Sequence, residues 1–564
     1  MKKHNLFKVM LLTMVIFFVF TWVFKYAEIS PYTGEFESSG YQQLGVLVAS
    51  EYINAAVSNF AGVIIYILFV GGFYGFLYKI PAYRSLLDKI VAKAKGKELL
   101  FVSVMMILLA GIVSVTGLQL VLILFYPFII SLILLMGYDK IVAALTVVGA
   151  TSVGMAGSTI GLANFTPVIS YLGLSFDYQI GVRAIILAVG LIILILNTVL
   201  YIKRSKSISG DKIKVEKTTV KKAEVKDEKV EVKVEKETKT TQTSKTTKGA
   251  KSGKGTSSKK SSTTKGKGKS TKSSSKSSKN ANKAAVKDED IIVVKESVVD
   301  SSDEELVPTI VDSNHKVWPI VVGMILILVF AIMAFIPWGE PGFKITTFVK
   351  FQEAVSEFEI FGFPIFAKIL GQVKTFGDFS TGALAWTVVD FLFIIGLFAC
   401  LLAIIYRVKF DDLLDGFVAG AKRAMGPAFI ATLAYVCLCF TYFNGFQGYF
   451  YNELLTLVSG FNVATTTVVA FLSGLFNPEM LYAYVKTLPI VMNVITNADN
   501  YAIISIIIQS VYGLVMLIAP TSIILMATLS YLNINYLDWL KKIWKLFVEF
   551  LVVLLIIFMI LVLI

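Results

Sequence analysis

Long apolar runs alternate with short polar joints along most of this chain, and the runs are too uniformly apolar to be the faces of amphipathic surface helices. A bilayer core takes about 20 apolar residues per helix. Full-length runs or pairs of half-length arms lie at 6–26, 60–79, 99–117, 120–137, 141–172, 179–202, 317–337, 384–406, 427–446, 461–476, 481–495, 501–531 and 537–563. They predict an all-α polytopic membrane protein. The stretches 81–97 and 410–424 mix apolar residues with charge and predict amphipathic helices resting at the interface. Between the two apolar regions the pattern stops. The chain therefore divides into an N-terminal transmembrane half (1–204), a linker (205–315) and a C-terminal transmembrane half (316–564). The first run, Leu6 to Tyr26, exceeds the apolar core of a signal peptide and is followed by no small-x-small cleavage site, so it reads as a retained span.

Composition sharpens this division. The chain is 56% apolar and only 16% charged, against about 45–50% and 25% for soluble domains. Residues 203–316 hold 29 of the 53 Lys and Arg and 17 of the 39 Asp and Glu, so +12 of the net +14 lies there. Residues 239–287 contain Lys, Ser, Thr, Gly and Ala with no acid, and 288–312 carry nine acids against one Lys. Such a segment buries too little apolar surface to offset ordering entropy and predicts a disordered tether. Its basic block offers an electrostatic contact to nucleic acid or anionic lipid, but without aromatic residues it provides no stacking platform. Residues 28–59 hold four Glu and no Lys or Arg, whereas Lys79 to Lys97, Lys203 to Lys206 and Arg407 to Arg423 are basic. The positive-inside bias places the N-terminus and the linker in the cytoplasm of a multi-pass plasma-membrane protein.

Candidate chemistry lies where polar residues interrupt apolar runs, because a broken helix survives in a bilayer only where it is buried or lines a cavity. Four breaks qualify. The first holds Ser114, Thr116, Gly117 and Gln119. The second holds Ser158, Thr159 and Asn164. The third holds Asn477, with Lys486 on its following arm, and the fourth holds Pro520, Thr521 and Ser522. These residues are the candidate substrate-binding set, since freed amides and helix N-termini hold anionic groups. The competing reading is close helix packing through small residues. Lys486 either snorkels to the interface or neutralises a carboxylate, and Asp390 and Glu453 read as interfacial. Cys400, Cys437 and Cys439 read as buried packing thiols. His4 and His315 are isolated. No nucleotide loop, metal motif or nucleophile triad appears, so no enzyme activity, metal or cofactor is expected beyond H⁺ or Na⁺ as a coupling ion.

The halves share phrases. Leu86-Leu87-Asp88 with Ala94-Lys95 matches Leu413-Leu414-Asp415 with Ala421-Lys422, and Gly117-Leu118-Gln119 matches Gly445-Phe446-Gln447 at nearly the same offset. Duplicated membrane halves, often inverted, are a transporter architecture. The phrases leave inversion open.

Gly71-Gly72-Phe73-Tyr74-Gly75, Leu134-Leu135-Met136-Gly137-Tyr138-Asp139, Gly157-Ser158-Thr159 and Ala519-Pro520-Thr521-Ser522 with Leu525-Met526-Ala527 carry a family resemblance. Together with Ile534-Asn535-Tyr536 and Trp539, they resemble the four-carbon dicarboxylate anaerobic carrier-like, or YfcC-like, permeases of the ion-transporter superfamily. The resemblance covers most of both halves and none of the linker. It implies two repeats, each with a re-entrant hairpin and a broken helix, often in a homodimer, carrying dicarboxylates or amino acids. The sequence departs from the family at three places. Leu120 and Val121 stand where the family carries acids, Leu475 to Met480 replace a Ser/Gly-rich tip, and Tyr512 to Met516 replace a polar phrase.

Two functions follow as expectations. One is a secondary transporter, permease or exchanger, moving a small carboxylate-bearing solute by alternating access. The other is a non-transporting membrane scaffold derived from a carrier, whose linker binds nucleic acid, anionic lipid or a protein.

Overall fold

The computed structural model describes residues 5–29, 35–161, 163–175, 177–224, 306–308, 316–336, 338–339, 345–369 and 386–563. Residues 225–305 of the linker, together with His4 and His315, lie outside the described residues. The first half runs through α1 (Asn5–Val23), an antiparallel ribbon of β1 (Ala27–Ile29) and β2 (Phe36–Ser38), α2 (Val46–Leu77), α3 (Pro81–Ala94) and α4 (Glu98–Thr116). A 3₁₀ turn then leads into α5 (Tyr126–Leu135). α6 (Lys140–Ala144) passes through a π turn into α7 (Ala150–Ala156), and α8 (Thr166–Leu172) and α9 (Ile180–Glu224) follow.

The second half contains α10 (Trp318–Phe335), α11 (Thr347–Glu357), α12 (Ile365–Ile369), α13 (Val388–Ile405), α14 (Phe410–Phe443) and α15 (Phe446–Thr456). It ends with α16 (Val463–Phe476), α17 (Met480–Val494), α18 (Tyr501–Val515), α19 (Ile523–Tyr531) and α20 (Tyr536–Leu563). Met1–Ile208 and Ser297–Ile564 form one compact unit. Among the described residues, nine helices are long and apolar enough to cross a bilayer, and shorter apolar helices supply the arms around the breaks.

Two sequence expectations change here. α2 starts at Val46, inside the acidic stretch 28–59 and well before the span predicted at 60–79. Residues 410–424 are not an interfacial helix but the first turns of the 34-residue α14, which continues through Pro427. The reason lies in a helix crossing. Gly71 and Gly75 on α2 meet Gly416 and Gly420 on α14, each pair spaced four apart on one helix face. A Cβ on Gly420 would lie 2.1 Å from the Gly71 carbonyl oxygen, and one on Gly75 would lie 2.2 Å from that of Gly416. Small residues at this spacing let two backbones touch, so the charged stretch is held on α2 rather than lying on the membrane surface.

The same crossing fixes direction. Tyr52 reaches Asn444, Phe60 stacks on Tyr435 at 3.9 Å and Gly75 meets Gly416, so α2 and α14 are antiparallel. α7 and α18 are antiparallel too, since Gly513 packs on Ser152 and Ala156 while Ser505 meets Tyr178 beyond them. α9 and α20 follow suit through Gly190 with Phe550 and Tyr201 with Lys542. The halves thus repeat one element order in opposite senses. Each contains a long helix, a short helix, a helical hairpin (α4 with α5, α16 with α17), a broken helix (α6 to α8, α18 with α19) and a closing helix. In this correspondence Gly117 pairs with Asn477 and α3 pairs with α15. The shared Leu-Leu-Asp phrases sit on non-equivalent elements and do not mark the repeat register.

Cys437 and Cys439 are buried in α14. Cys400 is exposed on α13, a correction to its expected burial, because it lies on the side of that helix that carries Phe393, Leu397 and Leu401 outward.

Candidate functional site at the hairpin tips

The first hairpin returns to the end it started from. Tyr66 donates to the Val121 carbonyl (2.6 Å) and Tyr78 Oη lies 3.2 Å from Ser131 Oγ, so α5 runs alongside α2 in the same direction. Tyr138, just past the returning arm, lies within electrostatic reach of Glu98 at the start of the entering arm. The tip is made by Gly117, which caps α4 at φ 71°, a backbone region that glycine occupies without a Cβ penalty.

This tip and the neighbouring break are tied into one knot. The Ser114 carbonyl accepts from the backbone N–H of Thr159 (3.0 Å) and Gly161 (3.1 Å) and from the Ser158 hydroxyl (3.1 Å). The Ser114 hydroxyl donates to the Gly157 carbonyl at 2.8 Å. Asn164 Nδ2 donates to the Gly117 carbonyl (2.7 Å), and the N–H of Ala163 donates to the Thr116 carbonyl (2.9 Å). Thr116 Oγ1 donates to the Ile112 carbonyl (2.6 Å). Backbone groups freed by the helix break have no water to turn to in a bilayer, and these side chains replace it. The structure therefore brings Ser114, Thr116, Gly117, Ser158, Thr159 and Asn164 together, with their bonding capacity directed at the protein itself. From the other half, Gln509 Nε2 and Ser510 Oγ donate to the carbonyls of Ser158 (3.0 Å) and Ala156 (2.9 Å).

The second tip is built differently. Ser473 and Thr487 pair at 2.8 Å and zip the two arms. Asn477 Nδ2 donates to the Ser473 carbonyl (2.9 Å) and to Gln447 Oε1 (3.3 Å), whereas its own Oδ1 is buried with no partner. Glu479 opens α17 and accepts from the Tyr435 hydroxyl at 2.6 Å. Tyr512 on α18 lies within electrostatic reach of Glu479 and within hydrogen-bonding reach of the Gln119 side chain. Gln119 Oε1, just past the first tip, is also buried without a partner. Thr521 Oγ1 donates to the Leu475 carbonyl (2.8 Å), and Ser522 caps α19 by accepting from the Leu525 N–H. Pro520 sits in the turn between α18 and α19, where the Leu517 carbonyl accepts from Trp539 Nε1 (2.9 Å) and the Ile518 carbonyl from the Tyr536 hydroxyl.

Lys486 is set apart from this cluster. Its Nζ lies 4.0 Å from the Tyr442 ring centroid, on the wall of a cleft of about 520 Å³ that also holds Tyr26, Glu28 and Gln447. Gln447 is shared. It lines this cleft and accepts from Asn477, so it separates the cleft from the second tip.

Sequence reasoning named Glu479 and Tyr512 only within altered phrases and Gln447 only within a repeated one, and it missed Tyr435 and Arg183. An acid directly after Asn-Pro between two apolar arms was the available signal for Glu479. Arg183 is fully buried near the start of α9, 4.1 Å from the Tyr178 ring centroid and 5.1 Å from that of Phe165. It pins the loop after α8 to the start of α9. Asp390 forms a capping box with Thr387 at the start of α13, and Glu453 is exposed on α15.

Residues 5–248 match the family of C4-dicarboxylate anaerobic carriers. The match spans the first half and extends into the linker, further than the resemblance in the residues suggested, and it ends before the second half. No curated protein and no solved structure matches the chain.

Proposed function

We propose, from this match and from the convergence of both hairpin tips on Tyr512, that the protein is a secondary carrier for a small carboxylate-bearing solute, a dicarboxylate or an amino acid. The observation that carries the reading is the pair of buried, unpartnered amide oxygens, Gln119 Oε1 and Asn477 Oδ1, one at each hairpin tip. Buried polar atoms are nearly always satisfied, so orphans at a helix break mark a place where a ligand completes the bonding; both are acceptors, so the solute group that meets them is a donor, an ammonium or a protonated carboxyl.

Glu479 suggests the coupling. It stands at the N-terminus of α17, where the freed N–H groups and the helix dipole favour negative charge. A solute carboxylate seeks the same field. The two anions repel at close range in a low-dielectric site, so binding of the solute favours a proton on Glu479. We therefore propose H⁺ as the coupling ion. Lys486 draws the anion into the cleft, and the hairpins exchange access by moving against the crossed long helices.

Proteoliposomes containing the full chain test this reading. Flux of labelled dicarboxylates or amino acids, driven by a pH gradient and lost in Glu479→Gln, is the expected result. Flux of none of them above empty liposomes counts against it.

A second reading, the membrane scaffold, draws on the first knot, whose hydroxyls are already consumed. Deleting residues 211–312 separates the two, because a carrier keeps its flux without the linker.

A further inference from the structure

We propose that Leu306-Val307-Pro308, near the C-terminal end of the acidic linker block, is an internal ligand that docks between α2, α3 and α5 and holds the first hairpin in place. Within a long polar stretch, three apolar residues are seated. Leu306 is 5% exposed and Pro308 is buried. Three side chains from three elements hold their backbone. Tyr78 at the end of α2 and Ser131 on α5 both donate to the Leu306 carbonyl at 2.9 Å, and Arg84 Nη1 on α3 donates to the Pro308 carbonyl at 2.6 Å.

The seat is built for an extended peptide. A carbonyl oxygen has two lone pairs, and here the Leu306 carbonyl fills both. Arg84 is held for its task by Asp88, which accepts from Nε at 2.9 Å and leaves the Nη1 donor free for the peptide. Tyr78 stacks on Tyr83 with ring centroids 5.9 Å apart, which fixes the hydroxyl direction. The recognition is therefore of backbone carbonyls with one apolar side chain as anchor, the mode by which a folded surface reads a peptide strand.

The position of the seat gives the docking a consequence. Ser131 lies on the returning arm of the first hairpin, whose tip carries Gln119, and Tyr78 lies on the long helix against which that arm runs. The Arg423 guanidinium of α14 lies 5.8 Å from the Tyr78 ring centroid, so the second half also borders the seat. One carbonyl accepting from both Tyr78 and Ser131 clips the arm to α2. Any movement of the hairpin against the long helices has to break this clip, so the linker acts as a brake. The brake itself rests on the carrier reading above, whereas the clip does not.

Two variants approach the clip from opposite sides in the full chain. Leu306→Asp puts a charge into the apolar seat, and Tyr78→Phe combined with Ser131→Ala removes both donors. A photo-crosslinking residue in place of Val307 in the otherwise native chain is expected to capture peptides from 78–135, and either variant is expected to reduce that yield several-fold. Amide hydrogen exchange across 126–135 is expected to speed up in both. Capture that is absent in the native chain, or unchanged in the variants, overturns the docking. Loss of capture with unchanged exchange overturns the clip. In proteoliposomes both variants are expected to raise the initial solute flux several-fold, and unchanged flux with the segment released overturns the brake. Absence of flux from native and variant proteins alike counts against the carrier reading and the brake together, while capture and exchange still decide the clip.

Discussion

The two helical hairpins share a geometry but use their polar groups in opposite ways. At the first tip, Ser114, Thr116, Ser158, Thr159 and Asn164 satisfy one another's backbone groups. At the second, carbonyls of the tip and the adjoining break are held by Thr521, Trp539 and Tyr536, which leaves Asn477 Oδ1 without a partner. The comparison shows that counting hydroxyls in a broken helix does not locate a site. What matters is whether another element has already relieved the break of its own backbone debt. A hydroxyl-rich knot acts as a splice, whereas a sparse tip backed by aromatic donors keeps an acceptor unpartnered.

Four substitutions and one control test this contrast. The largest effect belongs to the crossing that carries both hairpins. Gly420→Leu drives a side chain into the Gly71 backbone and is expected to abolish folded protein, as seen by monodispersity in detergent. Gly111→Ala, where a Cβ meets nothing within 4 Å, is expected to leave it intact. Next is Glu479→Gln, which keeps the Tyr435 contact and the fold. Its pH-driven flux is expected to fall by on the order of 10²-fold, with the remaining flux indifferent to the gradient. Ser114→Ala should reverse that pattern. It strands the Gly157 carbonyl, whereas the Thr159 N–H keeps the Ser114 carbonyl, costing about 1–3 kcal/mol in thermal unfolding, while protein that remains folded keeps its flux. If Ser114→Ala abolished flux without lowering stability, the first tip would have to be counted in the site. The smallest effect is expected from Lys486→Met, a KM increase of about threefold that disappears at high salt because the residue acts by long-range attraction from the cleft wall.

Much of this was legible in the sequence. The apolar periodicity located the spans. Glycine, proline and small hydroxyl residues marked all four breaks, since nothing else justifies them in an apolar run. The roles within the breaks were not legible. Ser114 and Asn477 are both polar residues at a tip, and only the partners that other helices bring show that one is consumed and the other is not. Glu479 was passed over because its tip departs from the family's pattern, although that departure is what places an acid there. The repeat register was misread because Leu-Leu-Asp phrases are common on amphipathic turns, whereas the true correspondence is one of shape. The fusion of 410–424 into α14 depends on Gly71 and Gly75, far away in sequence. Leu306-Val307-Pro308 is too short to rise above a polar background by periodicity.

α10 has no counterpart in the first half, and counting crossings shows what it does. α1, α2, the broken helix and α9 make an even number of passes, so the first half ends on the side where it began. A second half built to the same plan would then enter from that side and come out parallel to the first. α10, packed antiparallel on α13 through Gly323 with Phe398 and Phe330 with Phe391, adds one pass and turns the whole second half over. A single helix with no charged side chain thus sets the relative orientation of the two halves. Removing it would turn over the unit that carries Glu479.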